Sequence, residues 1–153
     1  MIRIAVQREA IDIAAEMAAA EASGSGAVAT FTGLVRADRG EGGVVGTLEL
    51  EHYPGATETA LRGVAEGAVA RWSLDAATIV HRVGPMAPGE RIVFVAAAAA
   101  HRAAALEACA YLIDRLKTDA PFWKRETRGD VATWVEAREA DDAAAARWGD
   151  GKR

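Results

Sequence analysis

The sequence predicts an α+β domain with a mixed, largely antiparallel sheet and flanking helices. Three observations carry that prediction. Strand patterns of period two come in adjacent pairs, which favours hairpins over an all-parallel sheet. Helical stripes interrupt those pairs, so some connections are crossovers. The 153 residues, 51% of them hydrophobic, suit one core without staples.

Ile2, Ile4 and Val6 alternate with polar residues and open the chain as a half-buried strand. Residues 9–22 are Ala-rich and read as a helix that Ser23–Gly26 stops. AVATFTGLV (27–35) is strand-prone, and the charged, Gly-rich ADRGEGG (37–43) reads as a mobile loop. VVGTLELEHY (44–53) alternates again, with Leu48, Leu50 and His52 on one face. Pro54-Gly55 marks a turn. Leu61, Val64, Ala65, Ala68, Val69 and Trp72 then form the clearest helical stripe in the chain. Residues 77–83 predict a strand, PMAPGE a turn, and 91–99 a strand buried on both faces. Residues 102–117 predict a helix with Leu106, Cys109, Leu112, Ile113 and Leu116 inward, followed by a Pro-containing loop. A strand at 131–136 and a short helix at 138–147 complete a single domain over 1–148, with 149–153 as a frayed tail.

Composition excludes several classes. One cysteine, Cys109, allows no internal disulfide and fits a reducing cytoplasm. The first twenty residues carry Arg8, Glu9, Asp12 and Glu16, unlike a secretory signal. The apolar run at 92–100 falls far short of the ~20 residues of a membrane helix. A net charge of −4 argues against a nucleic-acid partner. There is no phosphate-binding Gly-Lys loop and no dinucleotide fingerprint. The three histidines and the cysteine are too scattered for a metal site.

What remains is basic. Arg102, Arg115, Lys117, Lys124, Arg125 and Arg128 fall within 101–128, beside four acids, in an otherwise acidic chain; the pattern suits an anionic ligand or an acidic partner, and on charge alone the plainer reading is a solvated surface mixture. A turn through Pro121 brings Lys117 and Lys124 near one another. Paired ammonium groups lower each other's pKa and can serve as acid, base or nucleophile. On spacing alone the plainer reading is that Lys117 complements the helix dipole and Lys124 is solvated. His101 and Lys117 are sixteen residues apart on one helix, ~24 Å at ~1.5 Å per residue, so a small substrate touching both implies a site made by two chains. His52 and His81 lie on strands and read as structural hydrogen-bonding groups. Trp123 reads either as a stacking surface or as an anchor for its loop.

FTGLVR (31–36), LELEHYPGATE (48–58), HRVGPMAPGE (81–90), AAHRAAALEA (99–108), LKTDAPFWKRE (116–126) and WVEAREAD (134–141) occur in that order. They resemble the successive blocks of the molybdopterin synthase catalytic (large) subunit family, MoaE. The resemblance implies an α/β hammerhead fold and a sulfurtransferase of molybdenum-cofactor biosynthesis. The implied reaction moves sulfur from the C-terminal thiocarboxylate of a small ubiquitin-like carrier to cyclic pyranopterin monophosphate, forming the dithiolene. It implies a homodimer with a MoaD-like carrier, ending in Gly-Gly, on each subunit: a heterotetramer. This chain ends GDGKR and is not read as the carrier. No metal or redox cofactor is implied, since sulfur arrives activated.

Residue by residue, the resemblance assigns catalysis to Lys117 and Lys124. Substrate binding falls to Leu34, Val35, Arg36, His101, Arg102, Arg125 and Glu126 together with the two lysines. Leu34 departs from relatives with a lysine there, so no charge is expected from it. The family's His101-Arg102 pair reaches into the neighbouring subunit's site, in accord with the helix-length argument. Two other classes are distinguishable: a non-catalytic dimeric module that binds an anionic metabolite, and an unrelated lysine-based acyl-transfer enzyme that acts on simple thioesters without a carrier.

Overall fold

The computed structural model describes residues 1–36, 39–40, 43–44, 46–128, 131–135 and 139–149. In chain order these form β1 (Ile2–Gln7), α1 (Ile13–Glu21), β2 (Ala27–Leu34), β3 (Arg39–Gly40), β4 (Gly43–Val44), β5 (Thr47–His52) and α2 (Ala56–Trp72). Then follow β6 (Ala76–Arg82), β7 (Gly84–Met86), β8 (Arg91–Ala99), α3 (Arg102–Asp119), β9 (Phe122–Arg128), β10 (Val131–Val135) and α4 (Glu139–Ala146). The α+β class holds. The strands divide into two four-stranded sheets, β1-β6-β8-β2 and β10-β9-β5-β7, with β3-β4 as a separate pair. Only the β1–β6 pairing is parallel among those described; the others are antiparallel.

The first sheet is the centre of the molecule. Its inner strand β6 is buried throughout, and β8 is buried from Val93 onward, as a continuous apolar run requires when both faces are covered. On one face lie α2 and α3. Their contact is built from the smallest apolar side chains: Ala77, Ala97 and Ala99 on the strands against Ala65, Ala68, Ala105 and Ala108 on the helices. Leu61, Leu112 and Leu116 flank them. On the other face α1 sets Ile13 and Met17 against Val80, Phe94 and Ala96. A third cluster, with Val35, Leu48, Leu50, Val83 and Met86 against Val6, Ile92 and Phe122, joins the second sheet to one end of the first.

Local chemistry sets the boundaries. Helix α1 starts at Ile13 rather than residue 9 because the Asp12 carboxylate accepts the Ala15 N–H at 3.1 Å and caps it. Helix α2 starts after Gly55, whose φ of +87° excludes most side chains, and the Glu58 carboxylate accepts the Gly55 N–H at 2.9 Å. Helix α3 runs to Asp119, two residues past the expected end, with Arg115 and Asp119 paired at 2.7 Å.

Several expectations change. Arg39–Gly40 and Gly43–Val44 pair as β3 and β4 where the sequence predicts a loop over 37–43, and Pro85 and Met86 of the expected turn lie in β7. The segment after Pro121 is strand β9, not a loop: Phe122, Lys124 and Glu126 alternate with Trp123, Arg125 and Thr127, and the charges hide the period. The strand expected over 44–53 is divided, with Gly46 donating its N–H to the Thr127 carbonyl at 2.8 Å between β4 and β5. Leu106 points outward, 61% exposed, because Ala105, Ala108, Cys109, Leu112 and Leu116 define the buried stripe and Leu106 falls a helical step (~100°) beyond Ala105. The mobility expected of 37–43 falls on positions 37, 38, 41 and 42 outside the described residues. Of the expected tail, 150–153 lie outside them too. Among the described residues no helix is long and apolar enough to cross a membrane.

Candidate functional site

Strand order places most of the predicted residues at one end of the first sheet. Strand β2 pairs antiparallel with β8, so Leu34 sits opposite Arg91 where β8 begins, and Ala27 opposite Ala99 where it ends. Helix α3 leaves the far end and packs back along the sheet. Its last turn, with Lys117, therefore returns to the end that holds Leu34, Val35 and Arg36. Gly33 permits the approach there, because a Cβ at that position would lie 2.7 Å from the Val93 Cγ1. The β2–β8 register shifts between Gly33 and Leu34, which re-aims the chain leading to Arg36.

Val35 is buried in the third cluster. Its N–H donates to the Glu90 carbonyl at 2.9 Å, and its carbonyl accepts the Gly89 N–H at 2.8 Å. It is the fixed point beside the exposed side chains of Leu34 and Arg36.

The turn between α3 and β9 carries the lysines. Ala120 adopts an extended conformation, as a residue before proline prefers, and Pro121 cannot continue the helix. The turn is held on two sides. The Thr57 hydroxyl, wholly buried, donates to the Pro121 carbonyl at 2.8 Å and accepts the Tyr53 N–H at 3.0 Å. The Phe122 ring stacks on His81 with centroids 4.1 Å apart and planes 23° apart.

His81 lies in the fully buried β6. Its Nδ1 is 2.8 Å from the Arg82 carbonyl. A carbonyl only accepts, so Nδ1 carries the proton and Nε2 keeps a lone pair. Burial pushes its pKa down to about 4; the bond to the Arg82 carbonyl opposes the fall, and the charges of Lys117, Lys124 and His52 add to it. The charges of two cations from different elements, one on α3 and one on β9, thus reach one neutral imidazole.

The faces of β9 separate its side chains. Lys124 is registered opposite Leu50 and Phe122 opposite His52, so both point toward the third cluster and His81. Glu126 shares that face, opposite Leu48. Arg125 projects from the other face and pairs with Glu49. Trp123 is on that outer face too, edge-on to Tyr53 with centroids 4.4 Å apart, and anchors its strand.

His101 and Arg102 are exposed at the opposite end of α3, so one chain does not bring them to the lysines. Cys109 is buried on the inward stripe and burial pushes its thiol up to about 11, far from thiolate chemistry. The sequence reading missed Thr57. Its position in the first turn of α2 after Pro54-Gly55 marks a hydroxyl available to nearby backbone, but its second partner is sixty-four residues away.

Comparison with known proteins adds a family. The model of the MoaE protein family matches residues 6–119. A "Molybdopterin synthase catalytic subunit" from Ralstonia nicotianae is 48% identical over 151 residues, covering 97% of this chain and 85% of that protein. The solved "Molybdopterin biosynthesis MoaE protein" from Burkholderia ambifaria superimposes with a TM-score of 0.83 at 47% identity, covering 97% of this chain and 99% of that one. A solved molybdopterin synthase from Staphylococcus aureus gives a TM-score of 0.81 at 30% identity, covering 86% of this chain and 96% of that one.

Proposed function

This chain belongs to the MoaE protein family, and on that footing we propose that its lysine-lined end is where sulfur is transferred. Its function is that of the molybdopterin synthase catalytic subunits, sulfur-transferring enzymes of molybdenum-cofactor biosynthesis. In this reading the donor is the C-terminal thiocarboxylate of a small MoaD-like carrier, and the acceptor is cyclic pyranopterin monophosphate. The observation that carries it is the short Ala120–Pro121 turn between α3 and β9, which sets Lys117 in the last turn of α3 and Lys124 on the inward face of β9 at one end of the first sheet.

The chemistry follows from charge. Attack on the thiocarboxylate carbon, or by its sulfur on the pterin side chain, develops negative charge. Ammonium groups already in place stabilise that charge without reorganisation and can deliver or accept a proton. Buried and neutral, His81 takes no positive charge of its own near pH 7. Lys117 is the more essential lysine in this reading. The exposed Arg36 at the same end suits the substrate phosphate through charge-assisted hydrogen bonds, with Leu34 beside it and Val35 as its fixed base. Glu126 lines the lysine face of β9. Arg125, paired with Glu49 on the other face, holds the strand from behind. No metal or redox cofactor takes part, because sulfur arrives already activated.

His101 and Arg102 enter through a second copy. The length of α3 keeps them from the lysines of their own chain, and the edge strand β2 exposes Phe31 and Leu34 while α3 exposes Leu106. Apolar side chains on a strand that, among the described residues, closes the sheet, and on its neighbouring helix, support a two-fold contact between copies. A carrier on each copy completes a cytoplasmic heterotetramer.

Reconstitution tests the reading. The chain is mixed with a thiocarboxylated carrier and cyclic pyranopterin monophosphate, and dithiolene product is measured beside Lys117→Ala. Lys117 is exposed, so the variant should fold normally and lose more than ~2 kcal/mol of transition-state stabilisation, about thirtyfold in rate. Wild-type turnover in the variant removes Lys117 from the mechanism. No product from the wild-type chain, with folding and carrier binding intact, favours the metabolite-binding module.

A further inference from the structure

The two lysines are not adjacent in the chain, and neither belongs to a rigid element shared with the other. What fixes one against the other is the short link Thr118–Trp123. Helix α3 ends inside that link at Asp119 and β9 begins at Phe122, which leaves Ala120 and Pro121 outside both elements. Phe122 is paired across β5–β9 with His52 and packs against the third cluster, and three further interactions bear directly on the hinge. The Ala120 N–H returns to Leu116, within the same helix. The other two come from outside: the Thr57 hydroxyl on the Pro121 carbonyl, and the His81 ring on the Phe122 ring.

We propose that Thr57 and His81 are positioning residues that clamp the Pro121–Phe122 hinge and thereby set the separation of Lys117 and Lys124. The proposal rests on the reading of those lysines as the sulfur-transfer groups. Neither clamp residue needs to touch substrate.

Thr57 suits the task because its hydroxyl proton and a lone pair are both engaged by backbone groups. It donates once and accepts once, and both partners are backbone groups. It therefore ties the β5–α2 turn, through Tyr53, to the hinge. A valine of nearly the same volume would leave the Tyr53 N–H and the Pro121 carbonyl without these bonds while keeping the packing. His81 acts from the other side. Its ring cannot rotate freely, since Nδ1 is bonded to the Arg82 carbonyl, and β6 around it is buried. The stack therefore transmits the position of the first sheet to Phe122, two residues before Lys124 on the same strand face. Catalytic groups displaced by ~1 Å can cost about a hundredfold in rate, so a clamp of this kind matters to turnover more than to binding.

The test uses the full chain with its thiocarboxylated carrier and compares Thr57→Val, Thr57→Ser, His81→Leu and wild type. Steady-state rates give kcat and KM separately, and NMR of 13C-methylated lysines reads the chemical shifts of Lys117 and Lys124. Thr57→Val and His81→Leu, which removes the stacked ring, should each lower kcat by about tenfold or more, with KM within about twofold, and should displace both lysine resonances. Thr57→Ser keeps the hydroxyl and should restore both readouts. A kcat and lysine resonances unchanged in Thr57→Val overturn the clamp. If Thr57→Val fails to fold, His81→Leu decides, and wild-type values there overturn it equally. A wild-type chain that makes no product overturns the sulfur-transfer reading instead, and the two failures are distinct because the lysine resonances are read without turnover.

Discussion

Replacing His81 with phenylalanine should flatten the acid side of the stability profile. In the folded chain the imidazole is buried, bonded through Nδ1 to the Arg82 carbonyl, and faced by Lys117 from α3, Lys124 from β9 and His52 from β5. Its pKa falls from an ordinary 6.5 to about 4. The folded value lies below the unfolded one, so between them only the unfolded chain binds the proton, and stability rises with pH. Above about 6.5 the group contributes nothing to the slope. As pH falls toward 4 each tenfold rise in proton concentration costs about 1.4 kcal/mol, so the loss is about 2 kcal/mol at pH 5, a large share of a typical domain's stability. Urea denaturation from pH 7.5 to 4.5 measures it in wild type and His81→Phe. Glu90, held below the usual carboxylate range by the Ala87 N–H and Arg82, is common to both chains and cancels in the comparison. The slope is the readout, whatever stability the variant starts from at pH 7.5. Parallel profiles for the two chains refute a neutral, buried His81.

Two further outcomes are expected. A mixed preparation of Arg102→Ala and Lys117→Ala chains should recover part of the lost activity, because one of the two sites in a mixed dimer has both residues. Re-formed mixed dimers with no activity in the reconstituted assay contradict a shared site. Gly33→Ala should lower stability by about 1–3 kcal/mol, since the new Cβ meets Val93 Cγ1 at 2.7 Å and a β-branched side chain has little room to turn; an unchanged melting temperature contradicts the close approach.

The sequence made the first sheet legible and the second one obscure. Alternation at Ile2–Val6 and the unbroken apolar run of β8 are direct signals, and the α2 stripe identifies its buried face residue by residue. The parallel pairing of β1 with β6 is not a local signal: residues 8–75 lie between the two strands. Strand β9 escaped because Lys124, Arg125 and Glu126 put charge on both faces, so its period of two cannot be seen in hydropathy. Leu106 was misread for a related reason. A leucine on a helix counts toward the buried stripe by composition, while the alanines that form this stripe give a weak signal. At the site, Lys117 and Lys124 were visible as a motif. The hinge between them was visible only as a proline, and its contacts with Thr57 and His81 depend on tertiary structure.

The alanine layer between the first sheet and helices α2 and α3 has an evolutionary side. Ala77, Ala97, Ala99, Ala65, Ala68, Ala105 and Ala108 already carry almost the smallest side chain available. Substitution there can hardly proceed by shrinking a residue and filling the space later, the usual low-cost route through a core. Nearly every accessible change adds atoms to a full interface and separates helix from sheet, at about 1–3 kcal/mol for each poorly accommodated step. Substitution is thus easier on the outer faces of the helices than in the layer, and the helix that carries Lys117 in its last turn keeps its height above the sheet when that surface changes.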